Sequence, residues 1–389
     1  MLKKIPRPVI FLGLISFFND IASEMLYPVM PIFLTQVLGA PVYIVGIIEG
    51  VAEGLSSSLK TVFGIWSDRL HRRKPFIFSG YLFSAFAKVL IAMAYSWPVI
   101  FAGRIFDRFG KSLRTGARDA LLLEASSPNN KGFIFGFHRS MDSAGAVIGP
   151  LIAIVLLYLF KDNLRMILFA AAIPSFIALL FFIFIAETKR QTQSTKAKLS
   201  FSFGNLSPKL KHFLLVLAVF SLGNSSVTFL ILKAKDMGMS LSMVLAAYVL
   251  YNFFYASFST PAGKLADKIG AKRVFIVGLL IFSFVYFSFA LNTSSLFVWF
   301  LFAVYGIYIA FTDGVSKALV GSLIDKESAG TAYGVMQTVI SICTLLASVI
   351  GGFLWSTVSP NATFIFGAIC SLSAFILFLS SGIKISSKA

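Results

Sequence analysis

Residues 104–120 read RIFDRFGKSLRTGARDA, and in them Asp107, Lys111, Arg114 and Arg118 fall at i, i+4, i+7 and i+11, one stripe of a helix. Arg104 and Arg108 lie beside that stripe, each within helical reach of Asp107. Asp20 and Glu24 share a face beside Asn19, Glu49 and Glu53 share another, and Arg139 and Asp142 a third. Carboxylates set against cationic groups in apolar surroundings are suited to binding and releasing a proton. Burial disfavours the ionised acid, and a base that approaches favours it. The same bases, guanidinium forks above all, also suit a carboxylate or phosphate on a bound molecule. A second set is neutral: Tyr248, Tyr251 and Tyr255 beside Asn252, then Tyr305 and Tyr308, with Asn224 and Gln337. Hydrogen-bonding aromatics suit a partly apolar organic molecule, or equally anchor helices at a membrane interface.

These groups must be held by transmembrane helices. The chain of 389 residues is 57% hydrophobic and 13% charged, and apolar runs of about twenty residues recur from end to end. Ten-residue alternating segments, the signature of a membrane β-barrel, are absent. Twelve spans are expected, at 8–38, 42–66, 75–96, 98–122, 133–160, 164–186, 211–232, 241–262, 272–291, 296–321, 329–355 and 361–383. The fold class is therefore all-α and polytopic. An unpaired charge at the bilayer centre costs about 3 kcal/mol or more, so the charges inside these spans must meet each other or line water. Lys60, Lys88, Arg104, Arg108, Lys111, Arg114 and Arg139 crowd the first half against Lys317 alone in the second, where it sits four residues from Asp313 as a structural pair. Counted from Pro98, Arg104 lies about 9 Å deep and Arg108 about 15 Å.

The formal charge of +18 invites a nucleic-acid partner, but its placement argues for topology and anionic lipid. Most bases fall in the termini and the loops of one side, and only Lys161, Arg165, Lys233 and Lys235 fall in loops of the other. Both termini are expected in the cytoplasm. Cys343 and Cys370 lie within spans, so neither a disulfide framework nor a metal cluster is indicated. His71 and His212 sit in loops, and His138 reads as a surface residue near a helix end. No Walker loop, HExxH or Ser/His/Asp constellation occurs, so neither enzyme chemistry nor a cofactor is expected.

Residues 187–210 are polar, basic and Ser/Thr-rich, a cytoplasmic linker between an N-terminal six-helix bundle at 1–186 and a C-terminal one at 211–389. The halves repeat: GIWSDRLHRRKPFIFSG (64–80) matches GKLADKIGAKRVFIVG (263–278), and KGFIFG (131–136) matches AGTAYG (329–334). A duplicated six-helix unit places its substrate site between the halves near mid-membrane.

On these residues the chain resembles the major facilitator superfamily. GIWSDRLHRRK resembles that family's loop Gly-x-x-x-Asp-Arg-x-Gly-Arg-Arg between its second and third helices, with His71 where Gly is usual. RIFD (104–107) resembles its fourth-helix motif, and GAVIGP (145–150) the Gly-x-x-x-Gly-Pro core of a fifth-helix motif associated with antiporters. NDIASEMLYP and DRFGK…RDAL are similar to a bacterial subgroup. The resemblance implies two pseudosymmetric bundles that rock about a central site. It also implies a cytoplasmic latch of Gly64, Asp68, Arg69 and Arg72, with Asp119 as the acid that Arg69 or Arg72 meets and Asp267 in the second copy. An acid on the first helix facing an arginine on the fourth is an arrangement that similar proton-coupled exporters use, which singles out Asp20, Glu24 and Arg104.

The expected function is secondary transport: export of a small organic molecule in exchange for protons, in a bacterial inner membrane, by a monomer. Substrate contacts are expected from Asn19, Arg104, Asp107, Arg108, Lys111, Arg139 and Asp142 in the first half. The second half is expected to add Asn224, Tyr251, Asn252, Tyr255, Tyr305, Tyr308 and Gln337. The alternative is ion-coupled uptake or facilitated movement of an organic anion, a carboxylate or a metal-chelating siderophore. A sensor without transport is a third reading, weakened by the lack of a signalling domain.

Overall fold

The computed structural model describes residues 5–70, 73–126, 131–185, 207–324 and 329–380. Its regular structure there is all helical: α1 (Arg7–Leu26), α2 (Val42–Leu70), α3 (Lys74–Ala92), α4 (Trp97–Glu124), α5 (Lys131–Leu159), α6 (Leu164–Leu180), α7 (Pro208–Gly223), α8 (Thr228–Asp236), α9 (Leu241–Ile269), α10 (Ala271–Leu291), α11 (Ser295–Ser322), α12 (Ala329–Thr357) and α13 (Pro360–Ser380). Ten stretches are long and apolar enough to cross a membrane. The charged helices α2 and α4, of 29 and 28 residues, have the length to cross a 30 Å core as well.

Local chemistry sets the ends. Proline in the first turn of α3, α4 and α7 occupies a position where its missing N–H is no loss. Asn163, Ser207 and Ser240 each accept the backbone N–H three residues on and cap α6, α7 and α9. Gly270, at φ 94°, turns the chain between α9 and α10.

Two expected spans are broken. The first, 8–38, stops being α-helical at Leu26, resumes for one turn at Met30–Ile32 and ends in a π turn, Phe33–Val37. Pro28 and Pro31 cannot donate to the helical ladder and crowd the preceding turn, which makes the break local to them. The span 211–232 parts into α7 and α8 at Asn224–Val227, where Ser226 and Thr228 bond each other instead of continuing the helix.

The chain divides into two compact units, residues 1–40 with 51–194, and residues 41–50 with 195–389. In the first, α1 packs on α5 and α6, and α3 on α4 and α6. In the second, α7 packs on α12 and α13, and α10 on α11 and α13. The same network thus occurs twice. Helix lengths repeat too: α2 and α9 both have 29 residues, α4 and α11 both 28, and α5 and α12 both 29.

Small residues let the backbones close up. A Cβ on Gly80 of α3 would stand 2.6 Å from Gly110 O of α4, and one on Gly110 would stand 2.5 Å from Gly80 O. At the other end of the α3–α4 pair, Arg165 donates to Ala92 O (2.9 Å) and Ala94 O (2.7 Å) and lies over the rings of Phe33 and Tyr95. This guanidinium, in the first turn of α6, ties off carbonyls at the end of α3, which explains one of the few bases on that side. Arg165→Ala is expected to lose two charge-assisted bonds and to cost about 2 kcal/mol. A lowered thermal midpoint of the purified protein would show it, and Arg165→Lys should recover only part.

Candidate functional site

In the first unit, the acids of α1 are positioned by the glycines of α5. A Cβ on Gly145 would meet Phe17 O at 2.7 Å and Asp20 Cβ at 3.0 Å, and one on Gly149 would meet Ile21 O at 2.6 Å and Glu24 Cβ at 3.0 Å. The GAVIGP segment therefore seats the acidic face of α1 directly on α5, one glycine per acid. Asn19, beside them, is buried, and its Oδ1 has no hydrogen-bond partner among the described residues. The charged group that acts most strongly on Asp20 is Asp142 of α5, followed by Lys111 and Arg114 of α4 and then Glu24. Arg104 is buried and stands at a different level, its guanidinium 5.8 Å from the ring centre of Tyr27, one turn beyond Glu24. The structure thus layers the bases of α4 along α1: Lys111 and Arg114 act on Asp20, and Arg104 lies by Tyr27.

Asp107 lies within helical reach of Arg104 and Arg108, and Lys88 of the neighbouring α3 contacts it as well, with Nζ 3.6 Å from Oδ1. Arg104, Arg108 and Arg114 act on Asp107 from further away. Lys88 is 2% exposed and donates also to Ser84 O at 3.4 Å. Arg114 donates to Ser84 Oγ at 2.5 Å and lies 4.3 Å over the Tyr81 ring. A stripe position on one helix says nothing about which neighbour is closer, and the Gly80–Gly110 crossing brings α3 closest.

Arg108 reaches across to Glu53 of α2 at 3.9 Å, and Ser112 Oγ donates to Ser56 O at 2.9 Å, so the fourth helix does meet one acid of the second, Glu53. Lys60 acts on this pair and on Lys111. Arg139 and Asp142, which share a face by sequence, have different surroundings. Asp142 Oδ2 lies 3.5 Å from His138 Nδ1, whereas Arg139 is exposed. His138, expected at the surface, is 4% exposed.

In the second unit the tyrosines gather. Tyr248, Tyr305 and Tyr308 are buried, so they do not serve as interfacial anchors. The rings of Tyr248 and Tyr251, Tyr251 and Tyr305, and Tyr305 and Tyr308 follow one another at 5.4, 5.5 and 4.9 Å. Tyr308 donates to Asn224 Oδ1 at 3.0 Å, at the break between α7 and α8. Tyr286, which the sequence did not single out, joins the cluster by stacking with Tyr305 at 6.4 Å and bonding Ser225. Asn252 donates to Tyr248 O. Tyr255 is drawn away to Asp313, which also holds Lys317 at 3.0 Å as the pair expected from sequence. Gln337 is exposed.

The Major Facilitator Superfamily model matches residues 12–246 and 212–382. The chain belongs to the major facilitator superfamily. An MFS-type transporter of Methanocaldococcus jannaschii is 36% identical over 97% of this chain and 95% of its own length. The class E tetracycline resistance protein of Escherichia coli is 25% identical over 90% of this chain and 87% of its own. Among solved structures, a POT family transporter in complex with 5-aminolevulinic acid superposes with a TM-score of 0.80 at 13% identity, covering 97% of this chain and 98% of that one, a likeness of fold. The protein is thus a multi-pass membrane transporter of a family that is not enzymatic.

In this facilitator the expected latch is only partly on view. The side chains of Gly64, Asp68 and Arg69, and all of Arg72, lie outside the described residues. Asp119 is held by its neighbour Arg118 at 2.9 Å, and Asp267 is exposed. The base that spans from the start of α3 to the end of α4 is Arg73, whose Nε lies 3.0 Å from Glu124 Oε1 while Nη1 donates to Ser67 Oγ of α2 at 3.2 Å. Neither Arg73 nor Glu124 was assigned this contact from sequence. The run of bases at 69–74 gives no sign of which one points inward.

Proposed function

We propose that this facilitator exports a small organic molecule in exchange for protons by alternating access, in an inner membrane with both termini cytoplasmic, as a monomer. The observation that carries the proposal is the seating of Asp20 and Glu24 on Gly145 and Gly149, with Lys111 and Arg114 acting on Asp20. A carboxylate held between an apolar helix contact and cations changes its proton affinity when the helices around it shift, which is what exchange coupling requires. Within the second unit, the tyrosine cluster with Asn224 offers flat apolar faces with a few fixed hydrogen bonds, suited to a partly aromatic molecule. The name of the tetracycline resistance relative supports export.

A second reading is favoured by a different observation. Lys60, Arg108 and Lys111 act on one another and, in the same neighbourhood, on Glu53, so bases outnumber acids there. An organic anion entering with an ion would balance them. Purified protein in liposomes containing a pH-sensitive dye separates the two. With tetracycline and a panel of carboxylates added outside, antiport is expected to move protons against the entering molecule. Protons moving in with a carboxylate would replace the export reading by uptake.

A further inference from the structure

His138 is buried although it lies only seven residues from the start of α5 and beside exposed Arg139 and Ser140. Its Nε2 and Asp142 Oδ1 are both buried, and neither has a hydrogen-bond partner among the described residues. Packing alone gives no reason to keep two such atoms, since a buried polar atom without a partner is costly. Their place suggests a use. Asp142 stands one turn, about 6 Å, further along α5 than His138, and three residues beyond it Gly145 touches Asp20. Asp142 is also the charged group that acts most on Asp20. Imidazole, carboxylate and carboxylate thus form a ladder from the end of α5 to the middle of α1.

We propose that His138 relays protons between Asp142 and the water at that end of the bundle, with Asp142 passing them to and from Asp20. The idea rests on proton exchange at Asp20 as proposed above. In the outward step of the relay, taken when the proposed alternation of the bundle admits water to Nε2, the Asp142 O–H bond breaks as Nδ1–H forms, and Nε2–H breaks as that water takes its proton. The carboxylate is left ionised, the ring neutral, and exchange with water returns the ring to its first tautomer. The groups that face this ladder are Asp20 and Glu24 of α1, Lys111, Arg114, Arg118 and Asp119 of α4, and Arg139 on α5 itself. Between Leu164 and Leu180, α6 adds only Arg165 at the opposite end.

The chain has three histidines, so ring-labelled histidine gives three NMR signals, and His138→Gln identifies the one that matters. In full-length protein in nanodiscs, the His138 titration midpoint is expected to fall by about one unit in Asp142→Asn, because a carboxylate that favours imidazolium is removed. It should fall by a smaller but resolved amount in Asp20→Asn, and least in Glu24→Gln, one turn further along α1. A His138 signal that keeps one tautomer from pH 3 to 9, or a midpoint indifferent to Asp20→Asn, would overturn the relay. A purely structural histidine would give that second result, because the amide preserves packing. Loss of the relay with proton antiport intact in liposomes would leave the proposed function standing. Loss of antiport with an intact His138–Asp20 response would do the reverse.

Discussion

Lys88→Met is expected to destabilise the first unit by about 3 kcal/mol, the low end for breaking a buried ion pair. The reason is what remains. Asp107 stays buried, and its contact cation at 3.6 Å is gone. Arg104, Arg108 and Arg114 still act on it, which keeps the loss from being larger. The double variant Lys88→Met/Asp107→Leu removes both charges and fills the same space, so it should recover about 2 kcal/mol or more of the loss. Unfolding midpoints in a denaturing detergent titration would measure both. A single variant as stable as the parent, or a double variant whose loss equals the sum of its parts, would show that Lys88 and Asp107 do not act as a unit. The outcome also bears on transport. If Asp107 is committed to Lys88, the double variant should keep its transport, and Asp107 drops out of the substrate contacts expected from sequence.

The all-helical fold, the duplicated register and the family were legible because each rests on many residues at once. Twenty-residue apolar runs leave no alternative to spanning helices, and two matched loop motifs at offsets of 199 and 198 residues leave little alternative to a repeat. The stripe of α4 was legible for the same reason, since periodicity places Asp107, Lys111 and Arg114 on one side whatever surrounds them. Partners were not legible. Which cation reaches Asp107 depends on how closely α3 and α4 cross, and that is set by Gly80 and Gly110, two residues with no chemistry of their own. His138 was misjudged because position near a helix end suggests exposure, whereas the folded bundle buries it. Tyr286 escaped notice because its span is largely apolar, and the break at Asn224–Val227 gives its hydroxyl a partner in Ser225. The breaks themselves were half legible. Pro28 and Pro31 announce the first, but Asn224-Ser225-Ser226 is too mild a signal to predict the second.

Asp20→Asn is expected to reduce proton-coupled flux to the background of protein-free liposomes while leaving the protein folded and inserted. The amide keeps the volume of the carboxylate against Gly145, so the α1–α5 contact survives. It cannot ionise, so the alternation of charge that couples the two fluxes is lost. Lys111 and Arg114 would then act on a neutral neighbour in every conformation. Energy-independent exchange of the transported molecule should therefore persist in Asp20→Asn, because binding and alternation do not themselves require the proton. Glu24→Gln probes the next turn, where Gly149 makes the same contact. Glu24→Gln is likewise expected to abolish the proton-coupled flux while leaving the protein folded and inserted. Dye-loaded liposomes report the proton flux, and counterflow without a gradient reports the exchange. Normal gradient-driven flux in both single variants would remove the acids of α1 from the coupling mechanism. It would shift attention to Glu53 and Arg108, where an acid and a base from different helices also meet.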